Sequence, residues 1–325
     1  MIASLYAAIA RRRREWYAAR PEARRRLRRP VISIGNIASG GRGKTPFAAS
    51  VARILQDLGE RPAILSRGYA RTRPHDGVVI VRDASGIRAD VSRAGDEPSM
   101  LARQLPGVIV LTSSDRYLAG RLAEHQLGAT VHLLDDGFQH FQLERDTDIV
   151  LVSAADIQGV TFPYGRLREP PDVLVAADAL VAVDDGVPPG AHRMIFRARR
   201  TAGAPVFDGP TPAPGFKVFA AAGIADPQPF FASIEAAGLE IAGRTVFRDH
   251  HPYSARDVSR IVVEASACGA EAVMTTEKDY VRLLQYRPFP LAVGWLPLTM
   301  EAEPAAEFRR WLALSIASTR DIVIA

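Results

Sequence analysis

The chain has 325 residues, 47% hydrophobic and 24% charged, which is ordinary for a globular protein and long enough for a substantial core divided between two domains. A single cysteine, Cys268, excludes an internal disulfide, fits a reducing compartment and reads as a small buried residue. The net charge of +5 is unevenly placed: ten arginines against two glutamates give residues 1–30 a charge of +8, leaving −3 for the rest, which argues against a basic nucleic-acid-binding face on a folded module.

The N-terminal stretch MIASLYAAIA is apolar, and RRRREWYAARPEARRRLRR follows it. About 20 apolar residues are needed to cross a bilayer, so no spanning helix is expected. A secretory signal is not expected either, because its charges would precede the apolar segment. An apolar start, a run of arginines, and Trp16 and Tyr17 among them suit a helix lying on an anionic membrane surface. A solvated basic helix or an organelle-targeting peptide has the same composition.

Next comes SIGNIASGGRGKTP, Ser33 to Pro46. The usual phosphate loop has glycine, four residues, then Gly-Lys-Ser/Thr, and here the first glycine position is Ala38. The setting is nevertheless that of a phosphate loop, since the β-branched run PVISIGN precedes it and PFAASVARILQDLG, with helical apolar spacing, follows it to Gly59. Backbone N–H groups near Gly40, Gly41, Gly43 and Lys44 would then converge on an anion at a helix N-terminus. Lys44 would reach the β- and γ-phosphates, and Thr45 would ligate Mg²⁺. A glycine-rich turn in an α/β protein is the plain alternative.

Further along, RPAILSRGY, GVVIVRD, GVIVLTSS, ATVHLLDDGFQH and DTDIVLVSA read as strands, with helices after GDEP and after SSDRY. The alternation predicts a doubly wound parallel sheet, whose ligands bind at the carboxyl ends of the strands. From about Asp184 to Gly215 proline and glycine dominate, giving a linker that carries short strands such as HRMIFRARR. KVFAAAGIADP onward repeats strand and helix patterns as a second, smaller α/β unit.

Several residues have the chemistry for a site. Asp135 closes an apolar strand where phosphate-loop enzymes hold Mg²⁺, and Asp136 beside it adds a second negative charge that needs a cation or strong donors nearby. A polar turn is the alternative. Asp96 and Glu97 precede Pro98, where helix capping is the simplest role. Asp249, His250 and His251 stand together in FRDHHPY, and a histidine beside carboxylates is a candidate acid/base group. Arg166, Arg168 and Glu169 share a proline-bounded loop suited to phosphate contacts or to surface ion pairs, and Lys278 of TTEKD is open between a site role and a surface one.

Taken together, GNIASGGRGKTP, LSRGY, GDEP, LDDGFQH, GRLREP, AGIADPQPFF, FRDHHPY and TTEKD resemble, in order and over nearly the whole chain, the tetraacyldisaccharide 4′-kinase family of lipid A biosynthesis. The resemblance implies a P-loop NTPase-like α/β domain joined to a smaller α/β domain by a two-stranded linker. The corresponding division is 1–30 membrane-surface segment, 31–184 kinase domain, 185–215 linker and 216–325 smaller domain, with the last helix returning to the first. The implied reaction is transfer of phosphate from ATP, with Mg²⁺, to the 4′-hydroxyl of tetraacyldisaccharide 1-phosphate at the cytoplasmic face of the inner membrane. Its partners are then the lipid A disaccharide precursor and an anionic membrane surface, with no nucleic acid and no required protein partner.

By motif, Asp96 and His250 would deprotonate the attacking hydroxyl, with His251 the poorer match. Lys44 and Thr45 would hold phosphate and Mg²⁺, Asp135, Asp136 and Glu169 would belong to the metal and catalytic shell, and Arg67, His140 and Arg168 would contact substrate or phosphate. The SLY segment begins at Ser4, which implies a short membrane-facing helix. One rival is a membrane-associated P-loop ATPase switch, but its extra lysine before the paired glycines is replaced here by Ser39. Another, a nucleic-acid-binding ATPase, finds no interleaved basic and aromatic residues beyond the N-terminus.

Overall fold

A computed structural model describes residues 2–69, 71–73, 76–188, 190–209, 212–213 and 215–324; part of the expected linker therefore lies outside the described residues. Strands β1 (Val31–Gly35), β2 (Pro62–Ser66), β3 (Val79–Asp83), β4 (Gly86–Ile87), β5 (Ile109–Thr112), β6 (Val131–Asp135), β7 (Thr147–Val152), β8 (Ala179–Ala182) and β9 (Ile195–Ala202) enter one large sheet. A smaller sheet takes β10 (Val206–Asp208), β11 (Lys217–Ala222), β12 (Glu240–Val246), β13 (Ala272–Thr275) and β14 (Ala292–Trp295), while β15 (Leu298–Glu303) returns to the first.

The ten-stranded order is β15-β9-β8-β7-β1-β6-β2-β5-β3-β4. From β9 to β5 the pairs are parallel, with antiparallel edges at β15 and at β3-β4. Residues of β1, β2, β5, β6 and β7 are buried throughout, as expected when helices cover both faces of a parallel sheet. Helices α1 (Ile2–Ala18), α2 (Lys44–Asp57), the single-turn α3 (Val91–Ala94), α4 (Asp96–Gln104), α5 (Arg116–Gln126) and the single-turn α6 (Ala154–Ile157) precede β8. Helices α7 (Gln228–Ala236), α8 (Ala255–Ala267) and α9 (Glu277–Leu283) belong to the smaller sheet's part of the chain, and α10 (Ala305–Ile324) follows β15.

The unit expected over 216–325 thus gives up its last part. β15 pairs with β9 from Leu298↔Ala202 to Glu303↔Arg197, and α10 buries Phe308, Leu312 and Ile316 in the same core as Phe47 and Phe196. Each such fully buried large side chain contributes about 1.5–3 kcal/mol of hydrophobic stabilisation. An alternating strand such as LTMEAE does not reveal its partner in sequence, because its period of two serves any sheet edge.

At the other terminus α1 runs 17 residues, and no helix among the described residues is long and apolar enough to cross a membrane. Ile2, Leu5 and Ile9 are exposed on it, beside exposed Val160, Phe162 and Tyr164. The two segments touch through Tyr6 and Phe162, whose rings meet edge to face at 6.1 Å, and through Thr161 Oγ1, which donates to the Ala3 carbonyl at 3.0 Å.

Candidate active site

At the carboxyl end of β1 the chain passes through Asn36–Gly43 into α2. Gly43 has φ 79°, a left-handed conformation that glycine adopts without strain, and a Cβ there would collide with Met300 of β15. No side chain caps the first turn of α2, and a Cβ at Gly41 would meet open space. Free N–H groups beside open space at a helix N-terminus favour an anion.

Neighbouring β6 delivers Asp135, which is 4% exposed. Its Oδ2 lies 3.4 Å from Thr45 Oγ1, and its Oδ1 has no hydrogen-bond partner. Burial, followed by the charges of Glu97 and Asp136, pushes this carboxyl up to about 7, against the opposing pull of Lys44 and Thr45. An orphaned buried carboxylate oxygen beside a hydroxyl and two further carboxylates fits Mg²⁺. Among the described residues no group of three or more His, Cys, Asp or Glu side chains could hold a metal ion, so a cation on Asp135 and Thr45 would have to draw most of its ligands from water and phosphate oxygens.

Asp136 is different. Burial alone would raise its pKa, but Lys44 and Arg168 outweigh that and lower it. Arg168 Nη1 donates to both carboxylate oxygens at 3.2 and 2.9 Å, and Lys44 Nζ stands 3.4 Å from Oδ1 while donating to Asn36 Oδ1 at 3.0 Å. Glu169, expected in the metal shell, is engaged elsewhere: Arg14 and Gln139 donate to its oxygens. In this arrangement it anchors α1, so Asp135 is the better-placed metal ligand.

Across from the loop, Asp96 lies in the first turn of α4, behind Gly95. The N-cap is Gly95 and no side chain caps the helix, so the expected capping role is not seen; Asp96 Oδ1 accepts only the adjacent Glu97 N–H, at 2.9 Å. Oδ2 accepts from Arg282 Nε at 3.1 Å and from Arg282 Nη2, and faces His250 Nδ1 at 3.0 Å, with Lys278 Nζ at 3.9 Å. Burial opposes ionisation of Asp96, which is 2% exposed, yet His250, Arg282 and Lys278 together hold its carboxyl well below the usual range.

His250 is carried in a left-handed turn with φ 56°, and its Nε2 accepts from Lys278 Nζ at 2.9 Å. A proton on Nδ1 satisfies the Asp96 and Lys278 contacts and leaves Arg282 Nη2, 3.2 Å from Nδ1, to donate to Asp96. His251 instead stacks on Phe247 at 4.7 Å and meets Asp257 at 3.1 Å, a packing role. The cluster therefore joins α4 of the large sheet to α9 and the β12–α8 loop of the small one. Arg282 is itself oriented by Asp279, whose other oxygen accepts Gly223 N–H at 2.8 Å.

Two site features escape the motif reading. Arg282 lies four residues beyond Lys278, on the same face of α9 one turn later, a helical spacing that would have paired them. Arg116 opens α5 directly after β5, 7% exposed, where burial and the charge of Arg67 lower its pKa to about 10. Burial, then Arg116 and Arg145, lower His140 to about 4. Arg67 and Arg116 thus form a cationic neighbourhood beside Asp136 that keeps His140 uncharged, and Arg116 was discoverable from its place at a strand's carboxyl end.

Strand, glycine loop and helix at the carboxyl edge of a parallel sheet, with a loop lysine and a buried aspartate on the adjacent strand, define a phosphate-loop nucleotide-binding protein. A family model described as LpxK, tetraacyldisaccharide-1-P 4′-kinase, matches residues 1–317. Tetraacyldisaccharide 4′-kinase of Geobacter metallireducens is 40% identical over 274 residues, covering 80% of each chain. That of Geobacter sulfurreducens is 40% identical over 293 residues, 86% of this chain and 82% of the relative. A crystal structure described as the apo form of LpxK from Aquifex aeolicus in complex with ATP matches with a TM-score of 0.82 at 30% identity, covering 97% of both chains. The chain belongs to the tetraacyldisaccharide-1-P 4′-kinase family.

Proposed function

We propose that the protein transfers the γ-phosphate of ATP to the 4′-hydroxyl of a tetraacyldisaccharide 1-phosphate. The observation that carries this is the pairing, in one molecule of this family, of a phosphate loop with a second cluster, Asp96–His250, built for proton removal. Gly40, Gly41 and Gly43 and the first turn of α2 receive phosphate oxygens, and Lys44 neutralises charge as the transferred group moves. Thr45 and Asp135 would hold Mg²⁺, with Asp136 behind them; the ion would supply charge neutralisation for the phosphates.

The Asp96–His250 pair takes the hydroxyl proton. Asp96 Oδ2 is already crowded by donors, which favours His250 Nε2 as the accepting atom once the hydroxyl displaces Lys278, with Asp96 stabilising the charged ring. Arg67, His140 and Arg168, joined by Arg116, suit the anionic groups of nucleotide and lipid.

The units work as a kinase domain over 31–184 with β9, β15 and α10, and a smaller domain that closes on it through the paired strands β9 and β15. Closure excludes water from the γ-phosphate. Residues 1–30 rest on the cytoplasmic face of the inner membrane. Exposed Ile2, Leu5 and Ile9 beside an arginine-rich segment support that placement, since each basic residue near an anionic surface is worth about 1 kcal/mol.

The test is transfer of labelled γ-phosphate from MgATP to the disaccharide 1-phosphate in nonionic detergent micelles. Stoichiometric 4′-phosphorylated product is expected. ATP hydrolysis stimulated by anionic vesicles, with no lipid product, would replace the kinase by a membrane ATPase switch.

A further inference from the structure

The N-terminal helix reaches the nucleotide site through the Arg14 side chain. Arg14 Nε donates to Glu169 Oε1 at 2.9 Å and Arg14 Nη2 to Oε2 at 2.8 Å, a two-pronged pair in which Glu169 is 3% and Arg14 15% exposed. The guanidinium also lies over the rings of Phe138, at 4.2 Å, and Phe141, at 4.9 Å. Arg11, one turn earlier, makes a single contact to Asp172 in which both partners are largely exposed, the kind of pair that contributes little.

From Glu169 two routes lead to Lys44. Gln139 Nε2 donates to both Glu169 Oε2 and the Asn36 carbonyl, each at 2.9 Å, and Asn36 Oδ1 accepts from Lys44 Nζ at 3.0 Å. Arg168, adjacent to Glu169 in the chain, holds Asp136, which in turn faces Lys44 at 3.4 Å. Phe138, fully buried under Arg14, is three residues from Asp135.

We propose that Arg14 is a positioning residue of the nucleotide site, holding Glu169, Gln139 and Phe138 so that Lys44 and Asp136 keep their places. The N-terminal helix is then part of the phosphate-binding architecture as well as the surface that meets lipid, and the proposal rests on the nucleotide reading of the loop given above. Glu169 acts here as the buried half of an ion pair. Lysine cannot replace Arg14, because it lacks both the fork and the flat stacking face. By reciprocity, whatever fixes α1 tightens nucleotide binding, and bound nucleotide tightens the seating of α1.

The experiment reads MgATP affinity with a fluorescent ATP analogue in nonionic micelles without lipid substrate, beside turnover in the same micelles and flotation on phosphatidylglycerol-containing vesicles. Arg14→Gln is expected to weaken nucleotide binding about tenfold. Arg14→Lys should recover less than half of that loss on a logarithmic scale. Arg12, exposed and without a hydrogen bond or ion pair among the described residues, is the charge-matched comparison. Arg12→Gln should lower vesicle flotation as much as Arg14→Gln and leave nucleotide affinity within about twofold of wild type.

If Arg14→Gln leaves Glu169 buried and unpaired and the protein fails to fold, the double variant Arg14→Gln/Glu169→Gln removes that charge and is expected to fold and still bind nucleotide weakly. Nucleotide affinity at the wild-type level in Arg14→Gln or in the folded double variant, with only flotation reduced, overturns the proposal. Equal losses of nucleotide affinity in the Arg12 and Arg14 variants also overturn it. Wild-type enzyme that binds MgATP but phosphorylates no disaccharide would count against the kinase reading alone, since the affinity arm needs no acceptor.

Discussion

Asp135 and Asp96 are both almost completely buried, and their surroundings drive them in opposite directions. Burial, with the charges of Glu97 and Asp136 added to it, pushes the Asp135 carboxyl up to about 7, and one of its oxygens is unpartnered. Asp96 receives Arg282, His250 and Lys278 on a single oxygen, and its carboxyl is held low despite burial. The first site is short of positive charge and is built within one sheet. The second already has its positive charge, all of it contributed from the smaller unit. A phosphate-loop corner whose carboxylate keeps one oxygen unpartnered thus contrasts with a corner whose carboxylate takes its partners from the other half of the chain.

The sharpest way to break this contrast is to remove the carboxylate that gathers the cations. Asp96→Ala is expected to lower phosphate transfer by about 10²- to 10⁴-fold while ATP affinity stays near wild type, read by product formation and nucleotide titration. Unchanged turnover would return Asp96 to a first-turn helix residue. Lys44→Ala should cost about 10²- to 10³-fold in kcat and, unlike Asp96→Ala, weaken ATP binding as well. A variant that binds ATP normally would separate Lys44 from the phosphates.

Arg282→Gln tests the crossing itself, with an expected loss of about 10- to 100-fold from misplacement. Its pH profile has a definite sign. Asp96 must stay ionised to stabilise the charged His250 ring; it is held below its ordinary value of 3.8, and removing Arg282 lets it rise, so activity should be lost on acidification at a higher pH than in wild type. His250 and Lys278 still favour the ionised form, while Glu97 and Asp249 nearby oppose it. An unmoved limb would mean that Arg282 only packs.

The smallest effect concerns stability without nucleotide. Folded Asp135 keeps a proton that the unfolded chain releases near 3.8, so its contribution to stability declines as pH rises from about 4 to about 7. Asp135→Asn lacks this decline. Its Tm in EDTA should exceed that of wild type at pH 8 and approach it near pH 4. Parallel Tm curves would show that Asp135 is not strained.

Much of the large sheet was readable in sequence, because fully buried parallel strands such as VISIG, PAILS and VHLLD announce themselves as apolar runs, and the loop between strand and helix fixes where Lys44 and Thr45 must be. FRDHHPY marked His250 as a candidate acid/base group, but its pairing with Asp96 was reachable only through resemblance, since 154 residues separate them and nothing local marks them as partners. Arg282 and Arg14 escaped both routes. Each gains its role from a carboxylate far away in sequence, 186 residues to Asp96 and 155 to Glu169, and a lone arginine on a basic helix looks like surface charge until the partner is placed. The edge strand β15 was missed for the same reason, its partner being the linker strand β9.

That edge strand has a consequence for how the protein is made. Met300 of β15 packs against Gly43 at the mouth of the phosphate loop, and Phe308 of α10 meets Phe47 of α2 at 5.7 Å. A chain emerging from the ribosome therefore displays the loop, α2 and the sheet edge at β9 long before the residues that cover them exist. The smaller unit must be synthesised in between. A product that stops before residue 298 would carry the whole nucleotide motif without the β15 and α10 side chains that pack against its loop and helix.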